Sequence, residues 1–532
     1  MVGSCRRLLL SGLLVLIFVF SADSAFGQTG DPSPSPATDT EVRNSLRQLT
    51  EIYSIVERNY AEPVNADKAI YSGAIPRMLH ALDPHSNFFD PRAYTAMRED
   101  QRGRYYGVGM QIVPRNNKII VVAAFEGTPA YRAGIKPGDT IIAVDGRLTE
   151  NMAAGEVADS LKGPRGSTVH ISILRDKNEK AMDFAVVRDE IPRPSVDLKF
   201  EIAPGIGYMR VTAFNENTGR EVKNALDELG DLKGLVLDLR GNPGGLLSEA
   251  VSVADKFLKR GQIIVSQHGR RSPERVFRAT RGNSGREYPL VVLMNKGSAS
   301  ASEIVAGAIQ DHDRGLIAGE TSFGKGLVQM IYPLAQNTAL TLTIAKYYTP
   351  SGRLIQREYA GRSLYDYYYN PDSDEALKKD ARLTDVGRTV YSGGGIVPDV
   401  KIPQMKPTRF RDSLLQHYAF FSFSRDWLAD HPVDRSFQAT DEVVQAFRKF
   451  LADEKVVFSE NEFNDNLFWI KAQIKADIFV SQFGQESGLR VRAESDPQVM
   501  EALKQLPKAR ELAEKASKVL AQRSQRNIPT ER

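Results

Sequence analysis

Cysteine is almost missing from this sequence: Cys5 is the only one among 532 residues. It precedes an apolar segment near the N-terminus, whereas a lipoprotein cysteine follows such a segment. Once that segment is removed as a signal peptide, the mature chain contains no cysteine. Disulfide bonds, a thiolate nucleophile and cysteine-ligated zinc are then excluded, so the folded protein depends on its hydrophobic core alone.

The chain also has no large excess of positive or negative charge. The chain has 70 Lys and Arg residues against 66 Asp and Glu residues, a formal net charge of +4, and no long basic run. This balance favours neither binding to nucleic acid nor attraction to a membrane surface. The length of 532 residues exceeds what one ordinary core holds, so we expect several domains.

The first residues are typical of an export signal. A basic pair precedes an apolar run from Leu8 to Phe20, and Ala25 and Gly27 are small enough for signal-peptidase cleavage. The run is short for a membrane span. We therefore predict a cleaved signal peptide over residues 1–27 and export to the periplasm or cell envelope. An uncleaved membrane anchor is the alternative, and membrane contact is expected only in that case.

A linker and a helical region follow the export signal. Residues 28–41 are rich in Pro and Ser and cannot bury a core, which predicts a linker. Helical periodicity then extends over residues 42–102 and includes the turn sequence LDPHS, residues 82–86. The histidine of this turn, His85, lies beside a proline, which favours a structural hydrogen bond over a catalytic role.

Strand and glycine-turn signals replace the helical pattern over residues 103–188, which closely resemble a PDZ domain. In that family a glycine-rich loop captures the terminal carboxylate of a peptide, and the peptide adds to the domain as a strand. We predict the loop and its apolar wall at Gly107, Val108, Gly109, Met110 and Ile112. A small β-domain that only supports its neighbour is the alternative.

The region from residue 189 to residue 405 alternates strands and helices, which predicts βαβ units. A buried strand from Gly234 to Arg240 ends at the sequence GNPGG, residues 241–245. The glycines expose backbone N–H groups at a helix start, as half of an oxyanion hole requires. Taken alone, GNPGG is more typical of an ordinary turn than of a functional loop.

A second strand-to-helix junction lies further along the chain. The strand from Leu290 to Met294 delivers the hydroxyls of Ser298, Ser300 and Ser302 to a helix start, where free N–H groups stabilise a negative charge. Lys325 follows between two glycines. A serine hydroxyl needs a base, and a lysine shielded by apolar side chains serves once its charged form is disfavoured.

Three other interpretations of these residues are open. Residues 319–326 almost spell a P-loop, but Gly326 stands where a magnesium-binding Ser or Thr is required. The segment from Ser322 to Lys325 matches S-x-x-K, although the chain has no SDN or KTG partner motif. A Ser-His-Asp triad would need His312, which we expect at the exposed end of the serine-bearing helix.

The serine triplet, with FGKG and Gln329 downstream, strongly resembles the carboxyl-terminal processing proteases, a family of Ser-Lys peptidases that includes the tail-specific proteases. The resemblance runs from about Tyr53 to Val400. It implies a multidomain α/β protein with a crotonase-like α/β peptidase core over residues 189–405. Helical regions flank the PDZ domain and the core. The second of them, over residues 406–532, lies outside the resemblance and is predicted from the sequence pattern alone.

The resemblance also implies roles for individual residues. Ser300, twenty-five residues before Lys325, corresponds to the nucleophile, and Lys325 corresponds to its general base. Gln329, one helical turn after the lysine, corresponds to the residue that orients it. The backbone N–H groups of Ala301 and Gly245 correspond to the oxyanion donors. No metal or cofactor is implied.

The function implied by the resemblance is an exported serine endopeptidase that recognises C-terminal tails of proteins or peptides. The alternative from another class is a non-catalytic PDZ scaffold that binds protein tails in the cell envelope, and the intact Ser-Lys pair argues against it. A third interpretation is acyl-CoA chemistry on a crotonase-like core, which export makes implausible. We also expect an exposed insertion over about residues 359–385 and a homo-oligomer formed through the flanking helical regions.

Overall fold

The computed structural model describes residues 38–175, 180–370, 380–405 and 408–526. The predicted signal peptide and most of the predicted linker lie outside the described residues. The chain divides into two units, Met1–Ile70 and Tyr71–Arg532, which are described separately. No helix in the described part of the chain is long and apolar enough to cross a membrane.

The first unit contains a 21-residue helix, Asp39–Asn59, and a short helix, Ala66–Ala69. Thr38 caps the longer helix, because its hydroxyl accepts the Glu41 N–H and the Glu41 carboxylate accepts the Thr38 N–H. This reciprocal cap starts the helix inside the segment 28–41 that we predicted as linker.

The second unit opens with helical turns and a short strand. The helix Pro91–Arg102 starts after Asp90, whose carboxylate accepts the Ala93 N–H, and ends at Gly103, whose φ is 64°. The elements before it are Ile70–Ala74 at the boundary of the two units, Ile75–His80 and Asn87–Phe89.

A β-domain occupies residues 104–192, close to the limits predicted for the PDZ domain. The strands Arg104–Gly107 and Asp189–Pro192 pair antiparallel and bring its two ends together. Among the described strands, Met110–Arg115 pairs only with Lys118–Ala124, so its other edge is open. The remaining elements are the strands Thr140–Val144, Arg147–Leu148, Thr168–Leu174 and Met182–Val187 and the helices Pro129–Arg132 and Ala154–Leu161.

A six-stranded sheet forms the centre of the second unit. All neighbouring strands are parallel except the first pair. Because parallel strands end at the same edge of a sheet, the segments that follow them meet there. The sheet order is Val196–Ala203, Ile206–Val211, Gly234–Asp238, Leu290–Met294, Leu316–Gly319 and Val400–Lys401, and the helices Thr218–Leu229, Leu247–Asp255 and Ala301–Asp311 contribute to the core on one face.

A second sheet is antiparallel and supplies one wall of the candidate site. Its longest strand, Ala339–Tyr348, pairs with three neighbours. Two of these neighbours, Asn87–Phe89 and Ile263–Gly269, are distant in sequence, and the third precedes it directly in the chain. The other strands are Asn87–Phe89, Ile263–Gly269, Ser272–Arg278 and Leu327–Pro333, and a turn at Ala335–Asn337 joins the last of these to the longest strand.

Beyond residue 408 the described chain is helical, as predicted. One part has its own aromatic core, which includes Phe420, Phe447 and Phe463. The last helices cover the second face of the central sheet through residues such as Val499 and Leu506. The helices are Arg409–Gln416, Ala419–Asp430, Asp441–Asp453, Glu460–Asp465, Leu467–Phe483, Gln485–Glu494, Pro497–Lys504 and Leu506–Arg526.

Candidate active site

Ser300 stands at the turn between the buried strand Leu290–Met294 and the helix Ala301–Asp311. Its φ of 54° and ψ of −110° lie in a region that non-glycine residues avoid, at a cost of about 1–3 kcal/mol. The residue is half-buried. The strained turn therefore holds Ser300 at the carboxyl edge of the parallel sheet, beside the free N–H groups of a helix start.

The other two serines of the triplet differ from Ser300 in burial and bonding. Ser298 and Ser302 are fully buried. The Ser298 hydroxyl donates to the Leu239 carbonyl at 2.8 Å, and the Ser302 hydroxyl donates to the Asn242 carbonyl at 2.9 Å. Ser300 is therefore the one serine of the three that a substrate can reach.

The GNPGG loop lies against the Ser300 turn. Gly244 has a φ of 99°, and a Cβ at this position would stand 2.8 Å from the Cβ of Ser300, so only glycine fits. In the described part of the chain, the N–H groups of Gly245 and Ala301 have no hydrogen-bond partner. Two free donors beside a half-buried hydroxyl can stabilise an oxyanion.

Lys325 lies in residues 320–326, a loop that joins a strand of the central sheet to a strand of the second sheet. Burial lowers the pKa of its ammonium group, and the negative charges of Asp83 and Glu303 partly offset that effect. The Lys325 Nζ donates to Gln329 Oε1 at 2.8 Å. The ammonium group therefore loses its proton at a lower pH than an exposed lysine does.

Gln329 connects the lysine to a distant segment, because its Nε2 donates to the His85 carbonyl at 2.5 Å. The prediction that Gln329 lies one helical turn after Lys325 is wrong. Gln329 belongs to the strand Leu327–Pro333, in which the register shifts between Val328 and Gln329. Such a bulge re-aims side chains in a strand, which explains how the two side chains meet without a helix.

His85 is a half-buried, neutral residue. Its Nε2 and the Tyr367 hydroxyl lie 2.8 Å apart, so the predicted structural hydrogen bond is present. Burial and, to a smaller extent, the positive charge of Lys325 lower the pKa of His85 to about 3. An imidazole with that pKa is a weak base.

His312 lies far from Ser300. The two residues flank opposite ends of the helix Ala301–Asp311, which places them about 18 Å apart along its axis. The His312 Nδ1 lies 2.8 Å from an Asp385 carboxylate oxygen, and its Nε2 lies 2.8 Å from the Ile263 carbonyl. The side chain is only 10% exposed, so the expected exposed position is wrong because the segment with Asp385 covers it.

The segment that we expected as an exposed insertion is partly buried against the site. The helix Leu364–Tyr369 contributes Tyr367, which is 1% exposed and packs edge-on against Phe323. The Arg357 guanidinium lies 4.2 Å from the centre of the Phe323 ring. The strand Ala381–Leu383 is exposed as expected. The insertion therefore shields the Lys325 loop on one side.

The remaining chemical interpretations fail on geometry. A P-loop requires a helix start after Lys325, but the strand Leu327–Pro333 follows it. The hydroxyl of Ser322, the serine of the S-x-x-K match, is buried and donates to the Glu303 carboxylate at 2.5 Å. Among the described residues, no group of three or more His, Cys, Asp or Glu side chains could hold a metal ion.

Glu303 and Tyr347 also contact the candidate site, and sequence reasoning did not identify either of them. Both are fully buried. The spacing of Glu303 from Ser300 is that of a capping box, which was a usable signal. Tyr347 lies in the longest strand of the second sheet, and nothing in the local pattern distinguishes it.

The predicted peptide-binding residues lie at the open edge of the β-domain. Met110 and Ile112 belong to the edge strand, which the helix Ala154–Leu161 also contacts. Gly109 has a φ of 78°, as a glycine in a tight loop does. The side chain of Val108 is buried in the domain core, so only its backbone can face a ligand.

The fold and the family models together define a peptidase that carries a PDZ domain. The model of peptidase family S41 matches residues 205–361, and a PDZ domain model matches residues 120–175. A third model, the probable PDZ-protease C-terminal helical domain, matches residues 410–462. These matches agree with the multidomain α/β architecture.

Relatives identify the particular family. A carboxy-terminal-processing protease of Bartonella bacilliformis is 41% identical over 327 residues, which are 60% of this chain and 75% of that protein. The carboxy-terminal processing protease CtpB of Bacillus subtilis is 32% identical over 62% of this chain and 70% of its own length. The solved photosystem II D1 C-terminal processing protease is 30% identical, with 68% of this chain and 87% of that chain covered and a TM-score of 0.35. This chain belongs to the carboxy-terminal processing protease family.

Proposed function

We propose that this protein is an exported serine endopeptidase that recognises protein C-terminal tails through its PDZ domain and cleaves peptide bonds through an acyl-enzyme on Ser300. One observation carries the proposal. The N–H groups of Ser300 and Lys325 donate to the same Glu303 oxygen at 2.7 and 2.9 Å. The two backbone nitrogens therefore lie within about 6 Å of each other, close enough for the side chains to react together.

The proposed first half of the reaction forms the acyl-enzyme. Neutral Lys325 accepts the proton of the Ser300 hydroxyl, and Oγ attacks the carbonyl carbon of the scissile peptide bond. The N–H groups of Gly245 and Ala301 stabilise the resulting oxyanion. The tetrahedral intermediate collapses, the leaving amine takes the proton from Lys325, and the C-terminal product departs.

The second half releases the N-terminal product. A water molecule gives a proton to Lys325 and attacks the ester carbonyl, and the Ser300 oxygen recovers a proton as the bond breaks. Gln329 holds the lysine amine through both halves, because its amide is itself fixed by the His85 carbonyl. The lowered pKa of Lys325 supports this role, since a base must be unprotonated at working pH.

The PDZ domain supplies recognition in this proposal. A peptide tail adds as a strand along the open edge of Met110–Arg115, with its carboxylate at the loop that contains Gly109. The side chains of Met110 and Ile112 contact apolar residues of the tail. Export is proposed from the sequence of residues 1–27, and detection of the mature chain in the envelope fraction of a bacterial host would test it.

The direct experiment is cleavage of a loosely folded protein with an apolar C-terminal tail by the full chain, followed by mass spectrometry. Ser300→Ala and Lys325→Ala are each expected to abolish cleavage without loss of folded structure. Blocking the tail as an amide should slow cleavage by the unmodified enzyme. A Lys325→Ala variant that cleaves at a near-normal rate would overturn the dyad. If the unmodified protein and the variants all bind the tail and none cleaves it, the result would favour a scaffold.

A further inference from the structure

Glu303 receives hydrogen bonds from both reactive segments of the site. Its Oε2 accepts the Ser300 N–H at 2.7 Å and the Lys325 N–H at 2.9 Å. Its Oε1 accepts the Gly324 N–H at 2.6 Å and the Ser322 hydroxyl at 2.5 Å. All four partners are donors, so the arrangement is complementary to an ionised carboxylate.

A second buried side chain connects the same two segments through their carbonyl groups. The Tyr347 hydroxyl lies 3.0 Å from the Ser300 carbonyl oxygen and also contacts the Lys325 carbonyl oxygen. Burial, and secondarily the charge of Glu303, raise the pKa of this phenol. Tyr347 therefore keeps its proton and remains a donor at working pH.

We propose that Glu303 and Tyr347 are positioning residues that hold the backbone of the nucleophile against the backbone of the general base. This inference rests on the proposed roles of Ser300 and Lys325. The Lys325 loop, residues 320–326, has no helix or strand of its own to fix it. The two side chains link this loop directly to the backbone of Ser300, one through N–H groups and the other through carbonyl groups.

The cost of burying Glu303 indicates that its position matters. No described cation forms an ion pair with it, and a buried carboxylate without one is expensive. Burial raises its pKa to about 7 despite the four hydrogen bonds. An apolar residue would suffice if this position served packing alone.

The negative charge of Glu303 also acts on the base. It raises the pKa of Lys325 and so opposes the lowering caused by burial. Among the described residues, Asp83 and His85 interact electrostatically with Lys325, and Tyr347 and Tyr367 interact with Glu303. Removing the charge at position 303 should therefore lower the pKa of Lys325, whereas removing the neutral hydroxyl of Tyr347 should leave it unchanged.

The test compares Glu303→Gln and Tyr347→Phe in the full chain with a quenched fluorogenic peptide that ends in an apolar tail. kcat and KM are measured across pH 5 to 10. We expect kcat to fall by about tenfold to a hundredfold in both variants, because small misplacements of reacting groups cost this much. KM should change little. The acid limb of the profile should move to lower pH in Glu303→Gln only.

Two control variants separate positioning from general effects. Glu320→Gln removes a carboxylate from the Lys325 loop, and Tyr348→Phe removes the hydroxyl of the residue that follows Tyr347. Among the described contacts, neither Glu320 nor Tyr348 forms a hydrogen bond with Ser300 or Lys325. Both should behave as the unmodified enzyme. Circular dichroism reports whether each variant is folded. If Glu303→Gln does not fold, the kcat of Tyr347→Phe tests the positioning role.

The outcomes distinguish this inference from the proposed function. Loss of kcat with the stated pH behaviour supports it. Unchanged kcat in Tyr347→Phe, or a loss confined to KM, overturns it while Ser300→Ala remains inactive. Full activity of Ser300→Ala would instead remove the proposed function, and the positioning inference with it.

Discussion

Gly244 lies directly against Ser300, since a Cβ added to the glycine would stand 2.8 Å from the Cβ of the serine. The same Cβ would stand 2.7 Å from the Ala299 carbonyl oxygen, which is backbone and has no room to move. Gly244→Ala is therefore expected to displace the oxyanion loop from the serine and to lower kcat at least about a hundredfold. Steady-state cleavage of a tailed peptide measures this.

Gly241→Ala is the matched control for that variant. Gly241 has a positive φ of 67°, so alanine is strained there as well, but no atom lies within 4 Å of the added Cβ. It should lose about 1 kcal/mol of stability and little activity. Equal loss of kcat in the two variants would show that backbone strain, not the contact with Ser300, is responsible.

Gln329→Glu should move the pH dependence of the reaction. A carboxylate beside the Lys325 ammonium group favours its charged form and raises its pKa, so the base is neutral only at higher pH. The substituted side chain also cannot donate to the His85 carbonyl when ionised. We expect the acid limb of kcat/KM to move upward by about one pH unit or more, with a lower plateau.

Gln336→Glu serves as the control, because Gln336 is exposed in the turn after the same strand. Its pH profile should coincide with that of the unmodified enzyme. A Gln329→Glu profile with an unmoved acid limb would mean that Lys325 does not govern that limb.

Sequence patterns predicted the site correctly where a single short segment determines both the local conformation and the reactive residues. The strand Leu290–Met294, the helix that follows Ser300 and the glycine loop were all predictable, because buried parallel strands are continuous apolar runs. The wrong predictions concern contacts between different elements of the structure. Gln329 was assigned to a helix because four-residue spacing matches a helical turn, yet the strand pairing with Ala339–Tyr348 decides its conformation.

Several residues that contact the candidate active site lie in parts of the chain whose local sequence gives no indication of that role. The His85 carbonyl is a backbone group, and its role depends on a contact with Gln329 across 244 residues. Tyr367 lies in a polar, tyrosine-rich segment that is typical of exposed loops, but aromatic packing against Phe323 buries it. Such tertiary contacts override local propensity, which is why burial of the insertion was missed.

Ser302→Ala should affect stability more than chemistry. The hydroxyl donates to the Asn242 carbonyl, which also accepts the Ala299 N–H at 3.0 Å, so the carbonyl keeps one partner after the substitution. We expect a loss of about 1 kcal/mol and a slightly lower melting temperature. Labelling by a fluorophosphonate probe should persist, because Ser302 is fully buried and Ser300 is not.

Ser300→Ala should show the opposite effects on labelling and on melting temperature from those of Ser302→Ala. It should lose the label and keep its melting temperature, because alanine retains the Cβ of this half-buried residue and meets the same backbone strain, so no core contact is lost. Loss of labelling in Ser302→Ala at an unchanged melting temperature would contradict the assignment of Ser300 as the reactive serine.

Ile112→Asp should separate tail recognition from catalysis. Ile112 is half-buried on the open edge strand and packs against the core of the PDZ domain. A carboxylate there would lose hydration next to an apolar tail and would repel the terminal carboxylate of the tail. In an inactive Ser300→Ala background, we expect affinity for a fluorescent tailed peptide to fall at least about tenfold by anisotropy, which is about 1.4 kcal/mol. Gln111→Asp, an exposed neighbour on the same strand, should bind nearly as well as the parent, because its side chain is exposed. If both variants bound the tail with undiminished affinity, the groove beside Met110–Arg115 would not be the recognition site, and tail selectivity would have to arise within the peptidase core.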